Sequence, residues 1–286
     1  MSRSSPGVLR VAAILNFIAD HPGQAFALTD LVRALKLSRA TCHALLTGLV
    51  DVGYLYRTSD KTYVLGPALA AIGRTAAEHF SPLQIAQPEM RRLADEFDVV
   101  CGAYFLEGDI MHLRDRAASA SHVGYPVPLG TRMTMHWTQA IAFFARAPRD
   151  ADAWAGRAQP RLGADQAAQM QGGMQFVRQH GFVPLVRKPG VTLPLTGNPE
   201  NFIPPQGDDI PVMPQLELDA ASAYPLAAIM APIFDGRGKV PFALVMAGFR
   251  TALTGGQAMA AGGQLKSACD RISTFISGKA AEITQG

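Results

Sequence analysis

Two short helices in close succession, followed by a hairpin, are predicted between residues 28 and 65, and this segment constrains the fold more than any other. Thr29 is a suitable N-cap for the first helix, because its hydroxyl can accept a hydrogen bond from a free backbone N–H of the first turn. Apolar residues at helical spacing would share one face of that helix; they are Leu31, Val32 and Leu35. Leu37 then separates the first helix from the second.

The second helix is expected from about Arg39 to Val52, with Ser38 as its N-cap. One of its faces carries the apolar residues of a buried stripe, which are Cys42, Leu45, Leu46, Leu49 and Val50. The other face has mostly small or polar side chains that suit the major groove of DNA; they are Arg39, Ala40, Thr41, His43 and Thr47. This division predicts a recognition helix.

A hairpin is predicted directly after Gly53, which ends the second helix. Tyr54–Arg57 and Tyr63–Leu65 would form its strands, around a turn at Ser59–Asp60. The whole layout is that of a winged helix-turn-helix, with the helix-turn-helix itself at about 28–47 and basic residues at or near the tip of the wing. The residues expected to contact DNA are Thr29, Ser38, Arg39, Ala40, Thr41, His43, Thr47, Arg57 and Lys61.

The positive charge of the chain is concentrated in its first quarter. Residues 1–75 contain eight Lys or Arg against four Asp, a net charge of +4, whereas the rest contains 18 basic and 19 acidic residues, a net charge of −1. A plain helical bundle would explain the helix spacing, but it would not explain this concentration of charge. Because a basic domain favours a polyanionic partner, we expect binding to double-stranded DNA.

The length and composition indicate a folded protein of two domains. At 286 residues, 48% of them hydrophobic and 17% charged, the chain can bury a core, which excludes general disorder. A membrane span and a signal peptide are not expected, because the long apolar runs that they need are missing, so a cytoplasmic location is predicted. Cys42, Cys101 and Cys269 lack metal-ligand spacing and are expected to be buried apolar residues.

The rest of the chain predicts intermixed helices and strands. A first helix is expected from about Gly7 to Ala19, and a linker helix from Gly66-Pro67 carries the apolar residues Leu69, Ile72 and Ala76. Further helices near 82–97, 137–146, 165–180 and 257–277 alternate with hairpins at 99–116 and 228–248, which predicts an α+β domain. The expected domains are 1–66 for DNA binding, a linker helix at 67–80, and a second domain at 81–286.

Pro184–Pro214 interrupts this pattern. Eight of its 31 residues are proline and three are glycine, which argues against a regular helix or a central strand. A loop of this length is usually a lid, a contact surface or disordered. Its hydrophobic residues indicate that part of it packs against the domain, and we treat it as an insertion.

The chain resembles the IclR family of bacterial transcription regulators over nearly its full length. In the first domain the resemblance rests on the recognition segment KLSRATCHALLTGL, the wing GYLYR and the linker YVLGPALAAIG. In the second it rests on AQPEMRRLADEF and AAIMAPIFDGRGKVPFALVMAG. It implies an N-terminal winged domain, a C-terminal effector-binding domain of GAF-like topology, and dimers or tetramers that bind pseudo-palindromic operators. Relatives respond to small organic metabolites, frequently carboxylates and aromatic compounds.

Several positions depart from the family pattern. Ala44 stands where the recognition helix usually has a basic residue, so the operator cannot be taken from relatives. Ala228, Val245 and Ala247 stand where relatives often carry polar groups, and Ile141-Ala142 replaces a usual Gly-Lys pair. These departures from the family pattern indicate a more apolar pocket and a larger aromatic or hydrophobic effector.

We expect the effector pocket between the sheet and the helix that begins near Trp137. The helix start would receive the polar end of the ligand, because free backbone N–H groups favour anions, and the indole would pack on its apolar part. Pro184–Pro214 would cover the opening. The predicted effector-binding residues are Tyr104, Met133, His136, Trp137, Thr138, Ala228, Val245 and Ala247.

Other functions have less support from the residues. Four side chains were considered as metal ligands; they are His112, Asp115, His122 and His136. Their spacing in the sequence matches no standard ligand pattern, so neither a metal nor a cofactor is expected. A GAF-like domain could house an enzyme, but no nucleophile–base pair, carboxylate dyad or phosphate loop has a recognisable context. A winged domain could also bind another protein instead of DNA. The salt dependence of binding to duplex DNA distinguishes the two, because binding that is dominated by phosphate contacts falls steeply as salt rises.

Overall fold

The computed structural model describes residues 5–19, 21, 23–79, 82–122, 127–190, 202–204 and 210–278. The chain folds as two compact units, Met1–Ser81 and Pro82–Gly286. Within the described ranges, no helix combines the length and the apolar character that crossing a bilayer requires.

The first unit packs its helices against a small antiparallel sheet with the strand order β1-β3-β2. Its elements are α1 (Pro6–Ala19), β1 (Phe26–Ala27), α2 (Leu28–Leu35), α3 (Arg39–Asp51), β2 (Leu55–Arg57), β3 (Thr62–Leu65) and α4 (Pro67–His79). The apolar stripes of α1, α2 and α3 meet in one core with the sheet; its fully buried members include Ile14, Leu31, Cys42 and Leu46. The predicted winged helix-turn-helix is therefore confirmed.

The start of α2 differs from the prediction. Ala27, and not Thr29, is its N-cap residue. The side chain of Asp30, in the first turn, accepts a hydrogen bond of 2.9 Å from the backbone N–H of Ala27. The predicted cap was wrong because a carboxylate three residues inside the helix already holds the incoming chain.

The second unit is built on a seven-stranded antiparallel sheet with the order β6-β5-β4-β11-β10-β7-β8. Its first elements are α5 (Pro82–Phe97), β4 (Val100–Glu107), β5 (Ile110–Ala118), β6 (Arg132–Thr134), α6 (Trp137–Phe143), α7 (Pro148–Arg157) and α8 (Ala164–His180). Its later elements are β7 (Val183–Arg187), β8 (Val212–Pro214), β9 (Ala223–Tyr224), β10 (Leu226–Ile233), β11 (Phe242–Ala247), β12 (Leu253–Thr254) and α9 (Gly255–Ile276). Strands β9 and β12 form a separate pair.

Helices cover both faces of this sheet. On one face, α5 and α9 pack over alternate strand residues such as Ile229 and Leu244. A Cβ on Gly262 of α9 would lie 2.1 Å from the ring of Phe182, so α9 packs closely on the sheet at this glycine. On the other face, α6 and its neighbour α8 pack over residues such as Met230 and Leu185. The predicted α+β class is confirmed, and the arrangement is consistent with a GAF-like domain.

The ends of the proline-rich segment are strands, which corrects the prediction for Pro184–Pro214. Its first residues belong to β7, which lies between β10 and β8 inside the sheet, and its last residues form β8. Pro184 is tolerated there because its carbonyl still accepts a hydrogen bond of 3.0 Å from Gln215. The inserted part is therefore shorter than expected, and residues 191–201 and 205–209 lie outside the described ranges.

Candidate DNA-binding surface and ligand cavity

Helix α3 begins with a complete cap. The Ser38 hydroxyl oxygen accepts a hydrogen bond of 3.1 Å from the backbone N–H of Thr41. The same hydroxyl donates to the Thr41 side-chain oxygen at 2.8 Å. This pair fixes the first turn of α3, and as predicted Ser38 is its N-cap.

The outer face of α3 has the predicted composition. Arg39, Ala40, His43 and Thr47 are exposed, whereas Thr41 is half-buried and its hydroxyl is engaged by the cap. The Thr47 hydroxyl donates to the backbone carbonyl of His43 at 3.0 Å. Within the described residues, the side chains of Arg39 and His43 have neither a hydrogen bond nor an ion pair, so they are available to an external partner. Thr29 is exposed in the first turn of α2.

The hairpin places two cations on the wing. Arg57 pairs with Tyr63 across the strands, and its guanidinium carbon lies 6.0 Å from the centre of the tyrosine ring. Thr58 and Thr62 close the turn through a backbone hydrogen bond of 2.8 Å. Lys61 is exposed in that turn and has a φ of 61°, in the left-handed region that favours glycine.

Lys36 is a basic residue that the predicted set omitted. It is the exposed C-cap of α2, also in the left-handed region with a φ of 52°. Glycine or asparagine would be the usual choice for such a position. The sequence has no glycine at the end of the predicted helix, and this absence was the sign that another residue takes the C-cap position.

The cysteines do not form a reactive site. Cys42, Cys101 and Cys269 are free and buried. Burial raises the pKa of all three thiols, that of Cys101 to about 12. They are therefore protonated at neutral pH and act as core residues.

In the second unit, the start of α6 is held by its own side chains. His136 is the N-cap, and its Nδ1 atom accepts a hydrogen bond of 3.4 Å from the backbone N–H of Thr138. The Gln139 side-chain oxygen accepts one of 2.9 Å from the backbone N–H of His136. These contacts occupy backbone N–H groups at the helix start that were expected to bind the ligand.

A cavity of about 190 Å³ borders this helix start. Its apolar lining includes Met135, Trp137, Trp154, Leu162 and Ile210. Its polar lining consists of Asp109, Thr134, His136, Arg157, Gln159 and Gln166. At its margin, the Arg157 guanidinium donates two hydrogen bonds of 2.8 and 3.1 Å to the Asp109 carboxylate. This pair raises the pKa of Arg157 mainly through the hydrogen bond to Asp109.

Only His136 and Trp137 of the eight predicted effector residues line this cavity. Thr138 is fully buried under the helix start. The remaining five lie together on the sheet face that α6 shares, in the same apolar cluster: Tyr104, Met133, Ala228, Val245 and Ala247. Ala228 and Ala247 are direct neighbours on adjacent strands. The prediction placed one pocket there because the family resemblance pointed to these strand positions. Helix α7, which supplies Trp154 and Arg157, was not predicted.

The Ile141-Ala142 departure from the family pattern is a packing feature. Both residues are fully buried. A Cβ on Gly173 of α8 would lie 2.5 Å from the Ile141 Cδ1 atom. The larger residue on α6 is thus accommodated by glycine on α8, which lets the two helices approach closely.

The four residues considered for a metal do not come together. His112 lies 3.4 Å from Glu107, and Asp115 accepts hydrogen bonds from Gln87. His122 is buried, with its Nε2 atom 2.8 Å from the carbonyl oxygen of Gly248. Among the described residues, no group of three or more His, Cys, Asp or Glu side chains could hold a metal ion.

Known proteins resemble this chain in sequence and in fold. Residues 7–59 match the family model of the IclR helix-turn-helix domain. The HTH-type transcriptional regulator KipR of Bacillus subtilis (strain 168) is 26% identical over 98 residues, which are 34% of this chain and 38% of KipR. The chain therefore matches well under half of the length of this relative.

Solved structures extend the likeness in fold to nearly the whole chain. The ICLR transcriptional regulator of Silicibacter sp. TM1040 has a TM-score of 0.65 at 18% identity, with 96% of both chains covered. HmgR of Pseudomonas aeruginosa has a TM-score of 0.58 at 17% identity, with 97% of this chain and all of HmgR covered. The repressor BlcR of Agrobacterium tumefaciens has a TM-score of 0.57 at 16% identity, with 96% and 99% covered.

The family model identifies residues 7–59 as a helix-turn-helix domain of the IclR type. At these low identities, the solved structures establish the fold alone. The chain therefore carries an IclR helix-turn-helix domain, within the fold of full-length IclR transcriptional regulators.

Proposed function

We propose that this protein is a transcriptional regulator that binds a pseudo-palindromic operator and responds to a small organic effector. The observation that carries the proposal is the outer face of α3, which is capped, exposed and polar beside a wing with exposed cations. This face lies within the matched domain, residues 7–59. The positive net charge of residues 1–75 supports the same partner.

In this proposal, α3 enters the major groove and the wing meets the backbone or the minor groove. Arg39 and His43 have side chains available for base edges, and Arg57 and Lys61 for phosphates. Thr41 has a smaller part than the sequence predicted, because Ser38 already engages its hydroxyl. The other proposed contacts are Thr29, Ser38, Ala40 and Thr47.

We further propose that two copies bind together. A single winged domain contacts too few base pairs for tight specific binding, and two-fold dimers on pseudo-palindromes solve this problem. Helix α4 supports the proposal because Ile72 is 48% exposed although it is a large apolar residue. Val8 and Leu9 of α1 are also exposed. Leu69 is half-buried, and the side chain of Ala76 is outside those that the structure describes.

The effector is proposed to bind in the second unit, next to the start of α6. The sheet face with Tyr104, Met133, Ala228, Val245 and Ala247 is mostly apolar, which favours a ligand with a large apolar part. The nearby cavity adds polar groups at its margin. If the effector changes the affinity for DNA, the size of that change gives the coupling free energy between the two sites.

The function can be tested by DNA binding over a range of salt concentrations. We expect the full chain to bind a fragment from upstream of its own gene, with affinity falling steeply as salt rises. Arg57→Ala should weaken binding to specific and random duplexes alike, and lower the salt slope by about one unit. Arg237→Ala is the matched control, since it removes an exposed arginine from a turn of the second unit. Equal affinities and slopes for wild type and Arg57→Ala would refute the assignment of the wing.

A further inference from the structure

A groove of about 610 Å³ lies between α7 and α8 in the second unit. It shares only Leu162 with the cavity beside α6, so it is a separate feature of this unit. We propose that the groove is a docking site for an acidic, amphipathic helix of another protein. The inference does not depend on the proposed DNA binding or on the proposed effector.

The groove has the length of a short helix. Its two walls are antiparallel, because Pro148 at the start of α7 and Arg178 in the last turn of α8 both line one end. There the Arg178 guanidinium donates a hydrogen bond of 2.8 Å to the carbonyl of Ala145. The other end is lined by Leu162 and Ala167. From Ala167 to Arg178 a helix rises by about 16 Å, which is roughly three turns.

The floor of the groove suits apolar side chains. Ala151 and Ala155 of α7 are small, so the backbone of a partner can approach closely there. Met170 and Met174 of α8 are flexible side chains that can adjust to a residue packed on them. An amphipathic helix with apolar residues at positions i, i+4 and i+7 is a common occupant of a groove of this kind.

One end of the groove is cationic. Arg178 belongs to the lining at this end. Arg146, which follows Ala145, is exposed, and its guanidinium carbon lies 4.0 Å from the centre of the Phe234 ring. Phe234 leads into the turn between β10 and β11. Further exposed cations are Arg149 at the start of α7 and Arg237 and Lys239 in that turn.

Fewer carboxylates oppose these five cations. Asp235 accepts hydrogen bonds of 2.9 and 2.8 Å from backbone N–H groups of its own turn. Asp150 and Asp152 are exposed on α7, and Asp152 is the one carboxylate among the described residues of the lining. The local excess is therefore positive, although residues 76–286 have a net charge of −1. Acidic residues at one end of a partner helix would match this excess and fix the direction of the helix.

A second copy of the chain fits the groove less well than a different protein does. Within the described ranges, no helix exposes as many as three large apolar residues: α1 exposes Val8 and Leu9, α4 exposes Ile72, and α9 exposes Phe275. Nucleic acid would use the cations, but it would leave the apolar floor without a partner. The combination of floor and charge favours a protein helix.

A designed peptide tests the proposal. The probe is a fluorescein-labelled helix of three turns, with leucines at positions i, i+4 and i+7 and two glutamates at one end. In the control peptide, two lysines replace the glutamates. Fluorescence anisotropy with the full chain should show saturable binding of the acidic peptide and binding of the basic peptide that is weaker by about tenfold or more.

Charge variants should shift this binding in opposite directions. Arg178→Gln should weaken binding of the acidic peptide by about tenfold, the loss typical of a hydrogen bond to a charged group. Asp152→Asn should tighten it, because a like charge beside the glutamates is removed. Since Arg178 also binds the Ala145 carbonyl, Arg146→Gln tests the charge separately and should weaken binding as well. Arg161→Gln is the control, because Arg161 is exposed but does not line the groove.

A bulky side chain in the groove tests the position of the peptide. Ala168→Trp adds an indole at an exposed position of the lining and should abolish binding of the acidic peptide. Gln169→Trp, exposed on the same helix but outside the lining, should not. Both variants should bind DNA as wild type does, so a failure of the docking site is distinct from a failure of the proposed function.

Several results would overturn the docking site. They are the absence of saturable binding of the acidic peptide, equal affinity for the two peptides, and equal binding by the two tryptophan variants. A shift toward monomer in Ala168→Trp would assign the groove to a second copy of the chain instead. Weaker binding of random duplex DNA to Arg178→Gln would assign the cations to nucleic acid.

Discussion

The guanidinium of Arg271 on α9 holds the carboxylate of Glu89 on α5 through two hydrogen bonds of 2.6 and 2.7 Å. These hydrogen bonds lower the pKa of Glu89, and the nearby Arg92 adds to the effect. The two helices lie on the same face of the large sheet, so the pair connects the two long elements that cover it.

A pH-dependent contribution to stability is expected from this pair. Because the folded-state pKa of Glu89 is lowered, its contribution is present above the ordinary glutamate pKa of about 4.3 and is lost as the pH falls through the lowered value. Glu89→Gln should reduce the free energy of unfolding at pH 7 by about 1 kcal/mol, since Arg271 is half exposed and partly screened. Urea unfolding at pH 7 and pH 3 measures this.

The control for Glu89 is an exposed pair. Asp95→Asn breaks the ion pair with Arg91 on the surface of α5 and should change stability by less than about 0.5 kcal/mol. A difference between Glu89→Gln and wild type that stays the same at both pH values would contradict the linkage.

Lys61→Gly should separate stability from DNA binding. A non-glycine residue in the left-handed region costs about 1 kcal/mol, so glycine removes strain, although it adds freedom to the unfolded chain. We expect unchanged or slightly raised thermal stability, weaker DNA binding and a salt slope lower by about 0.9. Lys61→Arg, which keeps the charge, is the control. Full DNA affinity in Lys61→Gly would show that the tip of the wing makes no phosphate contact.

Gly173→Ala should destabilise the second unit. The added Cβ would lie 2.5 Å from the Cδ1 atom of Ile141, and overpacking of this kind typically costs about 1–3 kcal/mol. Ile141→Val removes that Cδ1 atom, so the double variant should recover part of the loss. Thermal unfolding of both single variants and the double variant provides the test. Strict additivity of the two changes would mean that the helices do not interact at this point.

Ile72→Glu should weaken self-association. A charge on the exposed apolar side of α4 would have to be desolvated in a helix–helix contact. Light scattering at micromolar concentration should show a shift toward monomer, together with weaker operator binding. Ala70→Glu places the same charge at another exposed position of α4. If Ile72→Glu associates as wild type does, the α4 contact is wrong.

Local sequence patterns were sufficient to predict much of the fold. The Ser38 cap and the apolar stripe of α3 act within a few residues, so the sequence was sufficient to predict the helix to within one residue. Thr29 failed as a cap because a competing carboxylate, Asp30, lies one residue away. Helix α7 was missed, although Pro148 at its start and Asp150 in its first turn are start signals.

The ligand cavity was the part that sequence patterns could not predict. Trp137 and Trp154 lie on different helices, and a local sequence pattern cannot predict that both border one cavity. The predicted pocket instead followed the strand positions to which the family resemblance pointed. The strand at Pro184 was also missed. The number of prolines shows how many backbone N–H donors are lost, but at this position the sheet uses the carbonyl of Pro184.

Both edges of the seven-stranded sheet are strands of only three residues, β6 and β8. A long exposed edge would offer a row of unpaired backbone groups to any other chain, including a partly unfolded copy. Here the row is short at each side, and Pro214 removes a donor from one of them. The sheet should therefore resist strand-to-strand aggregation at high expression, and the proposed assembly of copies would use helical surfaces.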